Sequence, residues 1–202
     1  MKINANFETT IKLIIVGDTG VGKTNFIFRF TEDKFSPIHV ATVGIDSKTK
    51  IIKLPKYKIN VKLQIWDTAG QERYMALNKH FFHKIQGIIL MYDITNRTSF
   101  ENVSTWLELI KETVSNKTVL LVGNKSDLDD QRIVSEREGE KIASDNKIKF
   151  FEGSGRTGGE KLNQIFTTIA EEIYSNLINR KNSISIELDK NQTKKKKCCS
   201  GK

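Results

Sequence analysis

At 202 residues and 38% hydrophobic, the chain is long and apolar enough to bury one sizeable core, and its formal net charge is +9. Its two cysteines stand side by side at positions 198 and 199, which excludes a disulfide framework, and no apolar stretch is long enough to span a bilayer. No secretory leader, internal repeat or metal-binding set is expected, because His39, His80 and His83 do not combine with the distant cysteines.

Residues 11–16, Ile-Lys-Leu-Ile-Ile-Val, read as a buried strand. They lead into Gly17-Asp18-Thr19-Gly20-Val21-Gly22-Lys23-Thr24, a complete G-x-x-x-x-G-K-[ST] phosphate loop, and a helix with an apolar stripe begins near Gly22. The glycines let the backbone approach an anion, so that successive N–H groups and the positive end of the helix face a triphosphate. Lys23 adds a charge for the β- and γ-phosphates, and Thr24 a hydroxyl for Mg²⁺. In the loop beyond the helix, Phe35 is an aromatic able to stack on a base and Thr42 a second hydroxyl for Mg²⁺.

Strands are expected at 45–54 and 59–66, and the short turn at Pro55 makes them an antiparallel hairpin in an otherwise parallel sheet. The second ends at Asp67-Thr68-Ala69-Gly70-Gln71-Glu72. Asp67 is placed to hold Mg²⁺ through water and Gly70 to bring an N–H to the γ-phosphate. Gln71 is the hydrolytic candidate, since phosphoryl transfer needs a positioned water and charge stabilisation more than covalent help.

A helix is expected from Glu72, a strand at 86–92, and helices from Thr98 and Ser135, where Thr98-Ser99-Phe100-Glu101 and Ser135-Glu136-Arg137-Glu138 have the form of capping boxes. Between those helices a strand at 118–123 runs into Asn124-Lys125-Ser126-Asp127, at the strand edge where ligands collect in open α/β sheets. Asp127 can accept both N1–H and the N2 amino group of guanine, donors that adenine does not present there. A site built for those donors rejects the wrong base by roughly 10⁴ to 10⁵. Lys125 can lay its aliphatic stem along the base, and Asn124 can tie this loop to the phosphate loop. A strand at 148–151 precedes a last helix from Gly159, whose apolar residues Leu162, Ile165, Phe166, Ile169, Ile173, Leu177 and Ile178 run out near Arg180.

This ordered set resembles a small GTPase of the Ras superfamily. The Rab family is the nearer likeness, on Lys62-Leu63-Gln64-Ile65-Trp66-Asp67-Thr68-Ala69-Gly70-Gln71-Glu72, on Leu90-Met91-Tyr92-Asp93-Ile94-Thr95 and on Cys198-Cys199. The likeness covers roughly residues 9–180. It implies an α/β fold, the P-loop NTPase small G domain, with a six-stranded mixed sheet of five parallel strands and one antiparallel, flanked by about five helices. The G domain would occupy 11–180, after an N-terminal extension at 1–10 and before a flexible polybasic tail at 181–202. It also implies a cycle between inactive GDP-bound and active GTP-bound forms that regulates vesicle trafficking, with slow intrinsic GTP hydrolysis accelerated by an activating protein.

The family's guanine-supporting E-T-S-A-K reads Glu152-Gly153-Ser154-Gly155-Arg156, keeping Ser154 and the N–H of Gly155 and ending in Arg156. An effector surface is implied over Ile38, His39, Val40, Ala41, Thr42, Val43, Gly44, Ile45, Asp46 and Ser47, with Trp66, Tyr74 and Phe81. There Ser47 replaces the usual phenylalanine, and Phe81-Phe82-His83-Lys84-Ile85 replaces Y-Y-R-G-A. The Pro55 turn is two residues longer than usual.

Residues 181–202 hold seven lysines against two acids, +5 of the net +9. Such a run fits a solvated end, a nucleic-acid contact or a membrane surface, and its passage into Cys198-Cys199 favours membrane. Adjacent Cα atoms lie about 3.8 Å apart across a trans peptide, too close for a usual disulfide. The pair matches the Rab pattern for double geranylgeranylation, and two lipid chains with a polybasic stretch suffice for stable anchoring. Implied with it are the cytoplasmic face of an intracellular or plasma membrane, a soluble cytosolic pool, and as partners an exchange factor, a GTPase-activating protein, GTP-dependent effectors, a prenylation escort and a GDP-dissociation inhibitor, but no nucleic acid. Two other readings stay open, a Ras- or Rho-like signalling GTPase and a GTP-dependent interaction scaffold with negligible hydrolysis.

Overall fold

The computed structural model describes residues 8–37, 45–68, 84–114 and 117–198. Expectations at Ile38, His39, Val40, Ala41, Thr42, Val43, Gly44, Gly70, Gln71, Tyr74, His80, Phe81, His83 and Cys199, and the helix from Glu72, lie outside the described residues.

Six strands form one sheet in the order β2-β3-β1-β4-β5-β6. They are β1 (Thr9–Val16), β2 (Ile45–Leu54), β3 (Ile59–Thr68), β4 (Gly87–Asp93), β5 (Thr118–Asn124) and β6 (Lys149–Glu152). Only β2 runs antiparallel, paired with β3 from Ile45 opposite Thr68 to Leu54 opposite Ile59. The hairpin closes through Tyr57 N–H to the Leu54 carbonyl and Lys58 N–H to the Pro55 carbonyl, with Lys58 left-handed at φ 56°.

Because side chains alternate across a strand, β1 feeds two cores. Ile11, Leu13 and Ile15 join one cluster with Phe26, Phe30, Phe166 and Ile169 from α1 (Lys23–Glu32) and α5 (Gly159–Cys198). Ile14 and Val16 join the other, with Phe100 of α2 (Arg97–Glu101), Leu107 and Ile110 of α3 (Val103–Thr113) and Ala143 of α4 (Glu136–Asp145). β4 is buried along its whole length, as a parallel strand covered on both faces must be. The order reverses at β1, with β3 on one side and β4 on the other, so a crevice opens beyond the end of β1, where the phosphate loop begins.

Three local expectations are corrected. The helix expected from Thr98 is capped by Asn96, whose extended backbone lets its side chain accept Ser99 N–H at 3.2 Å, and Thr98 lies inside the first turn. Asn102 separates that short helix from α3. The last helix does not end near Arg180 but continues as backbone helix to Cys198, a stretch containing neither Gly nor Pro to stop it. The box at Ser135 and Glu138 forms with both reciprocal bonds.

Candidate functional site

The phosphate loop spans the turn from β1 into α1. Gly20 and Gly22 hold φ of 84° and 96°, a region that side chains disfavour. A Cβ on Gly22 would meet the Asn124 amide nitrogen at 2.6 Å, whereas one on Gly20 would enter open space in the cavity. No side chain caps the start of α1, leaving that task to a ligand. Lys23 is buried, and its ammonium donates to the carbonyls of Gly17 at 2.6 Å and Asp18 at 2.9 Å, beneath the loop it would neutralise a phosphate through.

Asn124 closes β5 and is 2% exposed. Its Nδ2 donates to the Val21 carbonyl at 2.7 Å and its Oδ1 accepts Gly155 N–H at 3.1 Å, so one amide joins three loops. Lys125 is left-handed at φ 67°, and its ammonium reaches Asp93 Oδ2 at 2.5 Å, which lays the stem along the cavity wall. Ser154 donates to Asp127 Oδ1 at 2.5 Å and accepts the N–H groups of Arg156 and Thr157, both at 3.0 Å. The Arg156 guanidinium lies 3.9 Å from Asp127 Oδ2.

Together these loops enclose a hollow of about 390 Å³ lined by Gly20, Gly22, Phe35, Asn124, Lys125, Asp127, Gly155 and Arg156. A larger open groove, about 580 Å³ between α4, β6 and α5, is lined by Glu136, Glu140 and Lys161 without a phosphate loop, so the smaller hollow is the candidate site. Its chemistry fits a guanosine polyphosphate, with a buried ammonium and open glycine backbone at one end and a carboxylate at the other. Thr24 heads α1 and Asp67, 5% exposed, ends β3 next to β1, and a hydroxyl and a carboxylate are donors of the kind Mg²⁺ takes.

The sequence profile of the Ras family matches residues 12–175. The chain belongs to the Ras family. It is 41% identical to Ras-related protein Rab-10 of Diplobatis ommata over 198 residues, covering 96% of this chain and 98% of that protein. It is 40% identical to GTP-binding protein ypt2 of Schizosaccharomyces pombe, with the same coverage, and 44% identical to human Ras-related protein Rab-8B over 87% of this chain and 83% of that one.

Within this Ras-family domain, Gly20, Gly22, Phe35, Asn124, Lys125, Asp127, Gly155 and Arg156 line the hollow, whereas Gly17, Asp18, Thr19, Val21, Lys23, Thr24, Asp67 and Ser154 do not line it. Ser47, noted from the sequence as a replacement for phenylalanine, lies opposite Trp66 in the β2–β3 register and accepts the Gln64 amide at 3.4 Å. Sequence reasoning missed two supports. Asp93, 4% exposed, takes the Lys125 ammonium and two donors from Thr95. Arg132 grips Glu152 through paired bonds of 2.7 and 2.8 Å, which raise its own pKa and brace the strand leading to Ser154. No linear spacing joins either pair, and only the sheet order brings them together.

Proposed function

We propose that the chain is a Rab-like small GTPase that regulates vesicle trafficking, converting GTP and water to GDP and phosphate slowly alone and faster with an activating protein. The observation that carries this reading is Asn124, whose two amide ends draw the phosphate loop and the Ser154 loop onto one hollow. Lys23 and the N–H groups of the Gly17–Thr24 loop bind phosphate oxygens. Asp127 reads guanine, Phe35 and the Lys125 stem cover its faces, and Ser154, Gly155 and Arg156 border it. Thr24, Thr42 and Asp67 would hold Mg²⁺, which when bound neutralises charge on the β- and γ-phosphates.

Gln71 orients the attacking water, and Gly70 offers its N–H to the γ-phosphate. Loss of that phosphate releases the Thr42 and Gly70 segments, so the surface from Ile38 to Ser47 with Trp66, Tyr74 and Phe81 is assembled for effectors in the GTP form alone. Single-turnover hydrolysis by the purified chain with Mg²⁺ tests the enzyme. Release of one phosphate per protein is expected. Retention of intact GTP overturns hydrolysis in favour of a scaffold, and failure to hold either nucleotide overturns the site.

The same proposal includes a lipid anchor. Among the described residues no helix is long and apolar enough to cross a membrane. Geranylgeranyl groups on Cys198 and Cys199, added through a prenylation escort, would hold the domain on a cytoplasmic membrane face, and a GDP-dissociation inhibitor would maintain the cytosolic pool. Cell fractionation of the Cys198→Ser, Cys199→Ser double variant is expected to find it wholly soluble, and persistent membrane association refutes the anchor.

A further inference from the structure

An aspartate within a loop built to receive polyphosphate is an electrostatic contradiction, because a carboxylate facing the ligand would repel it. The structure resolves this by turning both oxygens of Asp18 away from the hollow. Oδ2 accepts the Asn102 amide at 2.6 Å and Oδ1 accepts the Trp106 indole N–H at 2.9 Å. Asn102 precedes α3 and Trp106 lies one helical turn beyond it, linked by the Trp106 N–H to Asn102 carbonyl bond at 3.0 Å, so both donors sit on one face. At its other end Asp18 gives its carbonyl to the Lys23 ammonium at 2.9 Å. The chain of contacts therefore runs from α3 through Asp18 to the lysine beneath the phosphates.

We infer that Asn102 and Trp106 are positioning residues that clamp the phosphate loop to α3 and slow the escape of nucleotide. The inference rests on the nucleotide-binding reading above. Loss of either donor frees the Asp18 carboxylate to swing towards the phosphates and shifts the carbonyl that orients Lys23. GDP and GTP share the β-phosphate that Lys23 would neutralise, so both nucleotides leave faster. A defect confined to Mg²⁺ or to the γ-phosphate would separate them.

Release of fluorescently labelled GDP and of a labelled non-hydrolysable GTP analogue from the full chain with Mg²⁺, chased by excess unlabelled GDP, tests the clamp. Asn102→Asp sets two carboxylates face to face, and about tenfold or faster release of both nucleotides is expected from the loss of a charge-assisted bond. Adding Asp18→Asn rebuilds a donor–acceptor pair with the roles exchanged, and release is expected to return to within about threefold of wild type. Trp106→Phe keeps an aromatic side chain on α3 but lacks the indole N–H, with release about fivefold faster. Circular dichroism establishes that each variant is folded. Wild-type release from folded Asn102→Asp, or failure of the exchanged pair to restore it, overturns the clamp. If Asn102→Asp does not fold, Trp106→Phe decides, and wild-type release from it overturns the clamp equally. A wild-type chain that retains no labelled GDP is a different result, which removes the nucleotide reading itself.

Discussion

The Ser154 hydroxyl gives its one hydrogen to Asp127 at 2.5 Å while accepting two backbone N–H groups, those of Arg156 and Thr157. A residue 3% exposed thus fixes both the carboxylate proposed to read the base and the turn beside it. Ser154→Ala strands those donors and frees Asp127 to rotate. Affinity for GDP is expected to fall about tenfold or more, as for loss of a bond to a charged group, and the preference for GDP over ADP to narrow. Calorimetric titration with both diphosphates measures it, and an unchanged preference would mean that Asp127 needs no such support.

Gln71→Leu keeps the side-chain volume and removes the amide proposed to orient water. Single-turnover hydrolysis is expected to drop about tenfold or more while GTP affinity stays within about twofold, because the interaction belongs to the transition state. A variant that retains the full intrinsic rate takes Gln71 out of the mechanism.

Glu138 joins two helices, accepting from Arg97 at 2.6 Å and from Ser135 N–H at 2.9 Å. The Arg97 guanidinium first, and the Ser135 donors second, pull its pKa from 4.5 to about 2. A lowered carboxylate pKa stabilises the fold above the unfolded value and loses that contribution as pH falls towards the folded one. Glu138→Gln is therefore expected to be less stable than wild type at pH 6, with the gap closing between pH 4.5 and about 2. Urea midpoints across that range provide the measurement, and a gap that does not vary with pH excludes ionisation as its source.

Tyr92 is fully buried on β4, and its hydroxyl has no hydrogen-bond partner among the described residues. Burial disfavours the phenolate and raises the pKa. Tyr92→Phe removes an unsatisfied polar atom and is expected to raise unfolding free energy by about 1 kcal/mol. Destabilisation by a similar amount in denaturant melts would reveal a partner for the hydroxyl.

Much of this domain was legible because its chemistry is local. Gly17 to Thr24 carries its meaning in eight consecutive residues, and the β-branched run before it announces the strand. The hairpin at Pro55 and the box at Ser135 and Glu138 likewise depend on near neighbours. What stayed hidden depends on distance. Asp18 meets Trp106 across 88 positions, and Arg132 meets Glu152 only because β6 joins the sheet beside β5. Asn96 was overlooked as a cap because Thr98 and Glu101 offered a tidier pattern, although Asn96 has the extended backbone that a cap needs. The helix beyond Arg180 has no apolar stripe to signal it and continues because nothing interrupts it.

Asn124 grips main-chain atoms on both sides, at Val21 and Gly155. On the proposed reading, possession of the nucleotide falls to this grip and recognition of its last phosphate to Thr42 and Gly70. Lesions that leave the protein empty are expected to map to the first, and lesions that leave it loaded but silent to the second.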